Sequence, residues 1–129
     1  MLQNLEMEEN TDSLKTILVA EDVESNFLLL KALLGKTYHL LHAYNGQEAV
    51  KIFKDNHPDL ILMDVKMPIM DGLQATRLIR TISVNIPIIA LTAFAFDQDR
   101  TRVLEAGCND FLTKPLSPPL LRQTIEKYL

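Results

Sequence analysis

The chain has 129 residues, of which 47% are hydrophobic and 23% charged, the profile of one globular domain able to bury its own core. Its formal net charge of −4 and pI near 5.3 argue against binding nucleic acid through bulk charge. A single cysteine, Cys108, excludes an intrachain disulfide and reads as a small, partly buried filler. No apolar run is long enough to span a bilayer, and the acidic, polar start MLQNLEMEENTDSLK lacks the basic and apolar stretches of a signal peptide. A cytoplasmic domain without membrane contact is therefore expected.

Residues 1–14 show no strand pattern and few large core residues, and read as a flexible leader or interdomain linker. The folded domain is expected over 15–129. Thr16–Ala20 (TILVA) is a short β-branched run suited to a buried strand. Ser25 offers an N-cap for a helix over NFLLLKALL, and Gly35 suits its C-terminal end. Tyr38–Ala43 reads as a second strand. Asn45 caps a helix over GQEAVKIFKDN, in which Ala49, Val50 and Phe53 form an apolar stripe, and Pro58 stops it. Asp59–Met63 (DLILM) is nearly all apolar and reads as a central strand with Asp64 at its C-terminal end. A loop with Pro68 and Gly72 leads into a helix over LQATRLIRTI, with Leu73, Thr76, Leu78 and Ile79 at helical spacing. Pro87–Leu91 (PIIAL) is another buried strand. Gln98–Ala106 reads as a more polar helix ended by Gly107. Asp110–Thr113 (DFLT) is a short strand. Ser117 caps the last helix, with Pro118 in its first position and Leu120, Leu121, Ile125 and Leu129 on its buried side. About five strand-then-helix units in succession predict a parallel sheet with helices on both faces, and right-handed crossovers leave few ways to connect it.

In such a sheet the functional crevice lies beyond the carboxyl ends of the strands. Glu21 and Asp22 follow the first strand, Asp64 the third, Thr92 the fourth, and Lys114 the fifth. Three carboxylates in one cleft repel one another and push at least one pKa upward, a cost that a divalent cation removes. Oxygen ligands of this kind suit magnesium, which binds through a few carboxylates together with phosphate. Lys114 adds a positive charge for an incoming phosphoryl oxygen, and Thr92 adds a hydroxyl. Taken singly, Glu21 and Asp22 could be a solvated turn, Thr92 a strand-end cap and Lys114 an exposed turn residue. A carboxylate directly after four apolar residues is harder to bury without a purpose, and all five groups meeting at four strand ends by accident is improbable. The loop Asp64-Val65-Lys66-Met67-Pro68-Ile69-Met70-Asp71-Gly72 is the most specific signal. Pro68 stiffens it, Gly72 lets the chain enter the next helix closely, and Met67 and Met70 are expected to pack beneath it.

The ordered set of Glu21-Asp22, Met67 to Gly72 after Asp64, Leu91-Thr92-Ala93, Ala106-Gly107 and Lys114-Pro115 resembles the receiver domain of two-component response regulators, over roughly Lys15 to Leu129. That resemblance implies a flavodoxin-like doubly wound (βα)5 three-layer sandwich with sheet order 2-1-3-4-5. It implies that Asp64 is the phosphoacceptor, that Asp22, Asp64 and the backbone carbonyl of Lys66 ligate Mg2+, and that Glu21 acts through a bound water. Thr92 and the backbone N–H of Ala93 would meet the phosphoryl group, and Lys114 would pair with one of its oxygens. Phe111 falls at the family's aromatic switch position: Thr92 moving toward the phosphoryl group would let Phe111 turn inward and change the surface near the fourth helix and fifth strand. As a phenylalanine it has no hydroxyl to offer a partner.

The implied phosphodonor is a histidine kinase or a histidine phosphotransfer protein, so the chain is a phosphoacceptor and not itself an enzyme. Lys66 and Phe94 occupy positions that the family uses to tune hydrolysis of the phosphoaspartate, and their bulk predicts a long-lived phosphorylated state. A phosphatase of the haloacid dehalogenase type would need a second Asp where Lys66 stands. A flavodoxin-like cofactor binder would need a Ser/Thr/Gly-rich loop in place of Glu21-Asp22-Val23-Glu24. A pseudo-receiver that only binds partners would not need the full polar set. The run from Val19 to Asn26 and the stretch from Ala106 to Leu112 look more like receivers of hybrid histidine kinases than stand-alone regulators. Val103, Ala106 and the last helix could form an isologous homodimer face.

Overall fold

The computed structural model describes residues 14–93 and 97–129, so the expected leader, apart from Leu14, lies outside the described residues, as does Phe94. Along the chain run β1 (Thr16–Ala20), α1 (Glu24–Leu34), β2 (His39–Ala43), α2 (Gly46–Asn56), β3 (Leu60–Asp64), α3 (Gly72–Ile82), β4 (Ile88–Thr92), α4 (Asp97–Ala106), β5 (Asp110–Thr113) and α5 (Pro118–Tyr128). The five strands form one parallel sheet in the order β2-β1-β3-β4-β5. This is the flavodoxin-like (βα)5 arrangement. Its order reverses at β1, where the chain crosses to the other face.

Side chains alternate across each strand, so each strand feeds two cores. Leu18, Ala20, Ile61, Met63, Ile88 and Ala90 face one core, which is closed by Ala49 and Phe53 of α2, Leu73 and Ile79 of α3, and Val103 of α4. Ile17, Val19, Leu60, Leu62, Ile89 and Leu91 face the other, closed by Leu30 and Leu34 of α1 and Leu121 and Ile125 of α5. Every residue of β3 and β4 is buried, as central strands covered on both faces require. Their polar ends, Asp64 and Thr92, are thereby drawn into the protein.

Several local expectations are corrected. Ser25 is not the cap of α1; the helix starts at Glu24 after Val23, which is extended at φ −96°, ψ 115° and makes no side-chain cap bond. Val23 N–H donates to Glu21 Oε1 at 3.1 Å, and Ser25 lies within the first turn of the helix. Asp59 lies just outside β3, its carboxylate accepting from Thr16 N–H at 2.8 Å. Leu120 and Leu129, expected on the buried side of the last helix, are 51% and 39% exposed: their positions fall beside the buried stripe of Leu121 and Ile125. Thr124 of α5 is buried in their stead. Asn45 and Ser117 cap α2 and α5, accepting from Glu48 N–H and Leu120 N–H, and Pro118 opens α5. Cys108 is buried, beside the Thr76 hydroxyl at 3.8 Å.

The α4–β5 corner is held from α3. Arg80 donates from Nε to Gly107 O at 2.8 Å, from Nη2 to Asn109 Oδ1 at 2.8 Å and from Nη1 to Ser83 O at 3.2 Å. Asn109 Oδ1 also accepts from Ile88 N–H at the start of β4. Gly107 has φ 114° and its hydrogen faces the Arg80 side chain. Truncation in Arg80→Ala leaves these acceptors to water and should cost about 2–3 kcal/mol, read as a lower urea midpoint at unchanged slope.

Candidate functional site

The strand register sets the carboxyl ends of β1, β3, β4 and β5 side by side: Ala20 pairs with Met63, Asp64 with Leu91, and Thr92 with Thr113. The residues just beyond these four strands therefore meet at one rim. Glu21, Asp22 and Asp64 each bring a carboxylate oxygen there, all within 4.8 Å of one another. Glu21 and Asp64 are 1% and 5% exposed, while Asp22 opens to solvent. Lys114 reaches in from beyond β5, its Nζ 2.8 Å from Asp64 Oδ2 and 3.3 Å from Glu21 Oε2. Thr92 is buried at the end of β4 and, with Ala93 and Lys66, lines the same cleft of about 580 Å3.

Close packing shapes the cleft. The loop after Asp64 folds back so that Gly72 N–H donates to Val65 O at 2.9 Å. A Cβ on Gly72 would lie 2.0 Å from the Asp64 carbonyl oxygen, so the close entry into α3 belongs to glycine alone. Asp71 caps α3, accepting from Gln74 N–H at 2.8 Å, and Met67 and Met70 pack on the core beneath the loop. Gly46 is as tightly held, its N–H donating to Met70 O, so the start of α2 buttresses the loop from outside. Lys66 N–H donates to Asp64 Oδ1 at 3.3 Å.

The response regulator receiver domain family matches residues 17–126. The chain belongs to that family. Among curated relatives, the polar-differentiation response regulator DivK of Brucella ovis is 36% identical over 118 residues, spanning 89% of this chain and 96% of DivK. The receiver domain of the sensor histidine kinase PA1611 from Pseudomonas aeruginosa, solved with a magnesium ion in its active-site cleft, superposes with a TM-score of 0.84 at 36% identity, over 90% of this chain and 98% of that one. The co-crystal structure of the Saccharomyces cerevisiae histidine phosphotransfer protein Ypd1 with the receiver domain of Ssk1 matches with a TM-score of 0.85 at 33% identity, over 89% and 88%. Receiver domains are phosphoacceptor modules of phosphorelay signalling, and this receiver has the acidic cluster that such chemistry uses. Among its described residues no helix is long and apolar enough to cross a membrane.

Burial and mutual repulsion load the cluster. Burial first, and the neighbouring Glu21 second, raise the Asp64 carboxyl to about 6, against the pull of Lys114. Burial also pushes Glu21 upward, but the bonds it shares with Asp64, Asn26 and Val23, with the charge of Lys114, outweigh it and leave Glu21 lowered. Burial works against the Lys114 ammonium, yet the two acids prevail and raise it. Removal of the ammonium in Lys114→Ala should move the Asp64 midpoint upward from about 6, as read by carboxyl-carbon NMR titration without divalent cations; an unmoved midpoint would mean that Lys114 does not hold the Asp64 charge.

Three carboxylates facing one ammonium leave two negative charges, the amount a divalent cation neutralises. All the donors are oxygens, and their spread is close to the ~4 Å that separates oxygens on opposite sides of one magnesium. The residues present therefore fit a hard divalent ion. Phe111 lies outside the cleft, half-buried against the α2/α3/α4 core with the Arg100 guanidinium 5.0 Å over its ring. Two groups at the site escaped the sequence reading. Asn26 Nδ2 donates to Glu21 Oε1 at 3.1 Å; at five residues' separation, with Glu21 outside α1, no helical spacing announces the contact. His42 Nε2 lies 2.7 Å from the Glu21 carbonyl, with no local signal, because only the β1–β2 pairing brings it there.

Proposed function

We propose that this receiver takes a phosphoryl group from a phosphohistidine onto Asp64, with magnesium held at the rim, and relays it as a change of surface. The observation that carries the reading is the buried Asp64 carboxylate, bonded by Lys114 Nζ at 2.8 Å and within 4.8 Å of two further acids. The side chains of Asp22 and Asp64 and the backbone carbonyl of Lys66 would hold Mg2+, with Glu21 acting through a water. When bound, the ion supplies charge neutralisation for the acid cluster and the transferring group.

The remaining work falls to the chain itself. An Asp64 oxygen forms the new O–P bond as the P–N bond breaks and the donor imidazole leaves with its electron pair. Lys114 meets a phosphoryl oxygen by shifting its bond from the carboxylates it now holds. The Thr92 hydroxyl and Ala93 N–H, on the far side of the cleft, receive the others. Phosphorylation adds charge and acceptor oxygens at the end of β3, and the Thr92–Phe111 pair is the proposed transmitter toward α4 and β5. The likeness to receivers solved with magnesium and with a histidine phosphotransfer protein supports a histidine kinase or phosphotransfer protein as donor. The likeness to sensor-kinase receivers supports a hybrid-kinase context for residues 15–129.

The test is incubation of the chain with a small acyl phosphate and Mg2+, followed by intact mass. A gain of one phosphoryl group that disappears with chelator is expected. Failure to label at any magnesium concentration would sink the reading.

A further inference from the structure

Glu21 is held at both ends of its backbone by β2. Its N–H donates to Ala43 O at 2.9 Å, and its carbonyl lies 2.7 Å from His42 Nε2. A carbonyl oxygen only accepts, so Nε2 carries the proton and donates. That carbonyl belongs to the Glu21–Asp22 peptide. A peptide is planar, so fixing its oxygen fixes the direction in which the chain leaves Glu21 for Asp22, and hence where two of the three carboxylates stand.

The imidazole is held in turn. Phe27 of α1 stacks on it with ring centroids 3.8 Å apart and planes 4° from parallel, and Tyr44 lies 3.9 Å away at 33°. Two rings this close cannot share one face, so the imidazole is sandwiched. The Tyr44 hydroxyl donates to Glu24 Oε2 at 2.9 Å, which ties the outer ring back to the first turn of α1. The stack therefore closes a loop of contacts around Glu21-Asp22-Val23 from the side away from the cleft. Stacked rings limit rotation of the imidazole, so its N–H stays on the carbonyl.

We propose that His42 is a positioning residue for the acid pair: its Nε2–H bond to the Glu21 carbonyl, locked by Phe27 and Tyr44, presets Glu21 and Asp22 for a divalent cation. This rests on the cation reading above and extends it to a residue that touches neither ion nor phosphoryl group. Partners of this outer kind are typically worth about 10-fold or more in metal affinity.

Two variants separate the hydrogen bond from the packing. His42→Phe keeps an aromatic ring in the stack and removes the donor. His42→Gln restores a donor and gives up the ring. Calorimetric titration of the unphosphorylated chain with MgCl2 should show about 10-fold weaker binding for His42→Phe and at most about 3-fold for His42→Gln. Amide exchange at Val23, whose N–H rests on Glu21 Oε1, should quicken in His42→Phe more than in His42→Gln, with or without metal. Equal affinity and exchange in the parent and His42→Phe would overturn the proposal while leaving the phosphoacceptor reading intact. Equal losses in both variants would overturn it too, assigning the effect to packing alone. Absence of magnesium binding by the parent would overturn the cation reading along with it.

Discussion

Asp64→Asn should end phosphoryl transfer to the chain and at the same time raise its stability at neutral pH. The amide has nearly the carboxylate's shape but is not a nucleophile toward phosphorus, so label from an acyl phosphate with Mg2+ should fall to background. Labelling at the parent's rate would place the acceptor on another residue. The stability gain arises from the burial that raises the Asp64 carboxyl from 3.8 to about 6. A carboxyl whose folded-state pKa lies above its unfolded value contributes stability that is complete below the unfolded pKa and is lost as pH rises through the folded one. The parent therefore pays between pH 4 and 6 for ionising Asp64 in the fold, by up to about 3 kcal/mol at one pKa unit per 1.36 kcal/mol. The variant escapes this cost but exchanges a charged bond to Lys114 for a weaker one, so a net gain of about 1–2 kcal/mol is expected. Thermal melts in magnesium-free buffer should show the variant's Tm above the parent's by several degrees at pH 7.5, with the difference closing as pH falls below about 4. A gap independent of pH would show that the carboxylate's ionisation is not its source. Added magnesium should stabilise the parent and narrow the gap, since binding to the folded state alone shifts the balance by mass action.

Gly72→Ala is expected to damage both the fold and the site. The new methyl would lie 2.0 Å from the Asp64 carbonyl oxygen and 2.9 Å from both the Asp64 carbonyl carbon and Met63 Cγ. The first two are backbone atoms of β3, the central strand, whose residues are all buried. They cannot step aside as a flexible side chain would. Relief must come from moving the start of α3 outward, which breaks the Gly72 N–H bond to Val65 O and draws Leu73 from its core. A destabilisation of about 3–5 kcal/mol is expected, in the range of severe overpacking and core loss. Urea denaturation should show it as a fallen midpoint. Any folded fraction should bind Mg2+ more weakly, because the shift displaces Asp64, one of the three clustered carboxylates. A midpoint within 1 kcal/mol of the parent's would show that α3 can retreat freely and that the glycine is not required by space.

How far the chain is readable depends on how local each feature is. The short, bounded apolar runs of β1, β3 and β4 declare buried strands, whereas the equally apolar Phe27–Leu30 belongs to a longer helical segment and leaves Leu28 and Leu29 exposed. Asn45, Ser117 and Pro118 announce helix starts because capping is satisfied within three residues. Ser25 has the chemistry of a cap but does not serve as one, because the helix begins before it, at Glu24 after the extended Val23. Leu120 and Leu129 are expected on the buried side of α5 and are 51% and 39% exposed. Spacing marks a stripe on a helix, but the width of the stripe that becomes buried is decided by the element lying against it.

The site divides along the same line. Residue order alone determined which chemical groups end each strand: carboxylates after β1 and at the end of β3, a hydroxyl at the end of β4, a lysine after β5. Strand periodicity and chain alternation are short-range, so they survive in the sequence. Only the tertiary structure decided that Lys114 sits between Asp64 and Glu21, that Asp64 is raised to about 6 while Glu21 is lowered, and that a histidine from β2 holds the Glu21 carbonyl. Each of these depends on groups far apart in the chain being brought within a few ångströms in a low-dielectric rim, where electrostatic energies change steeply with distance and burial.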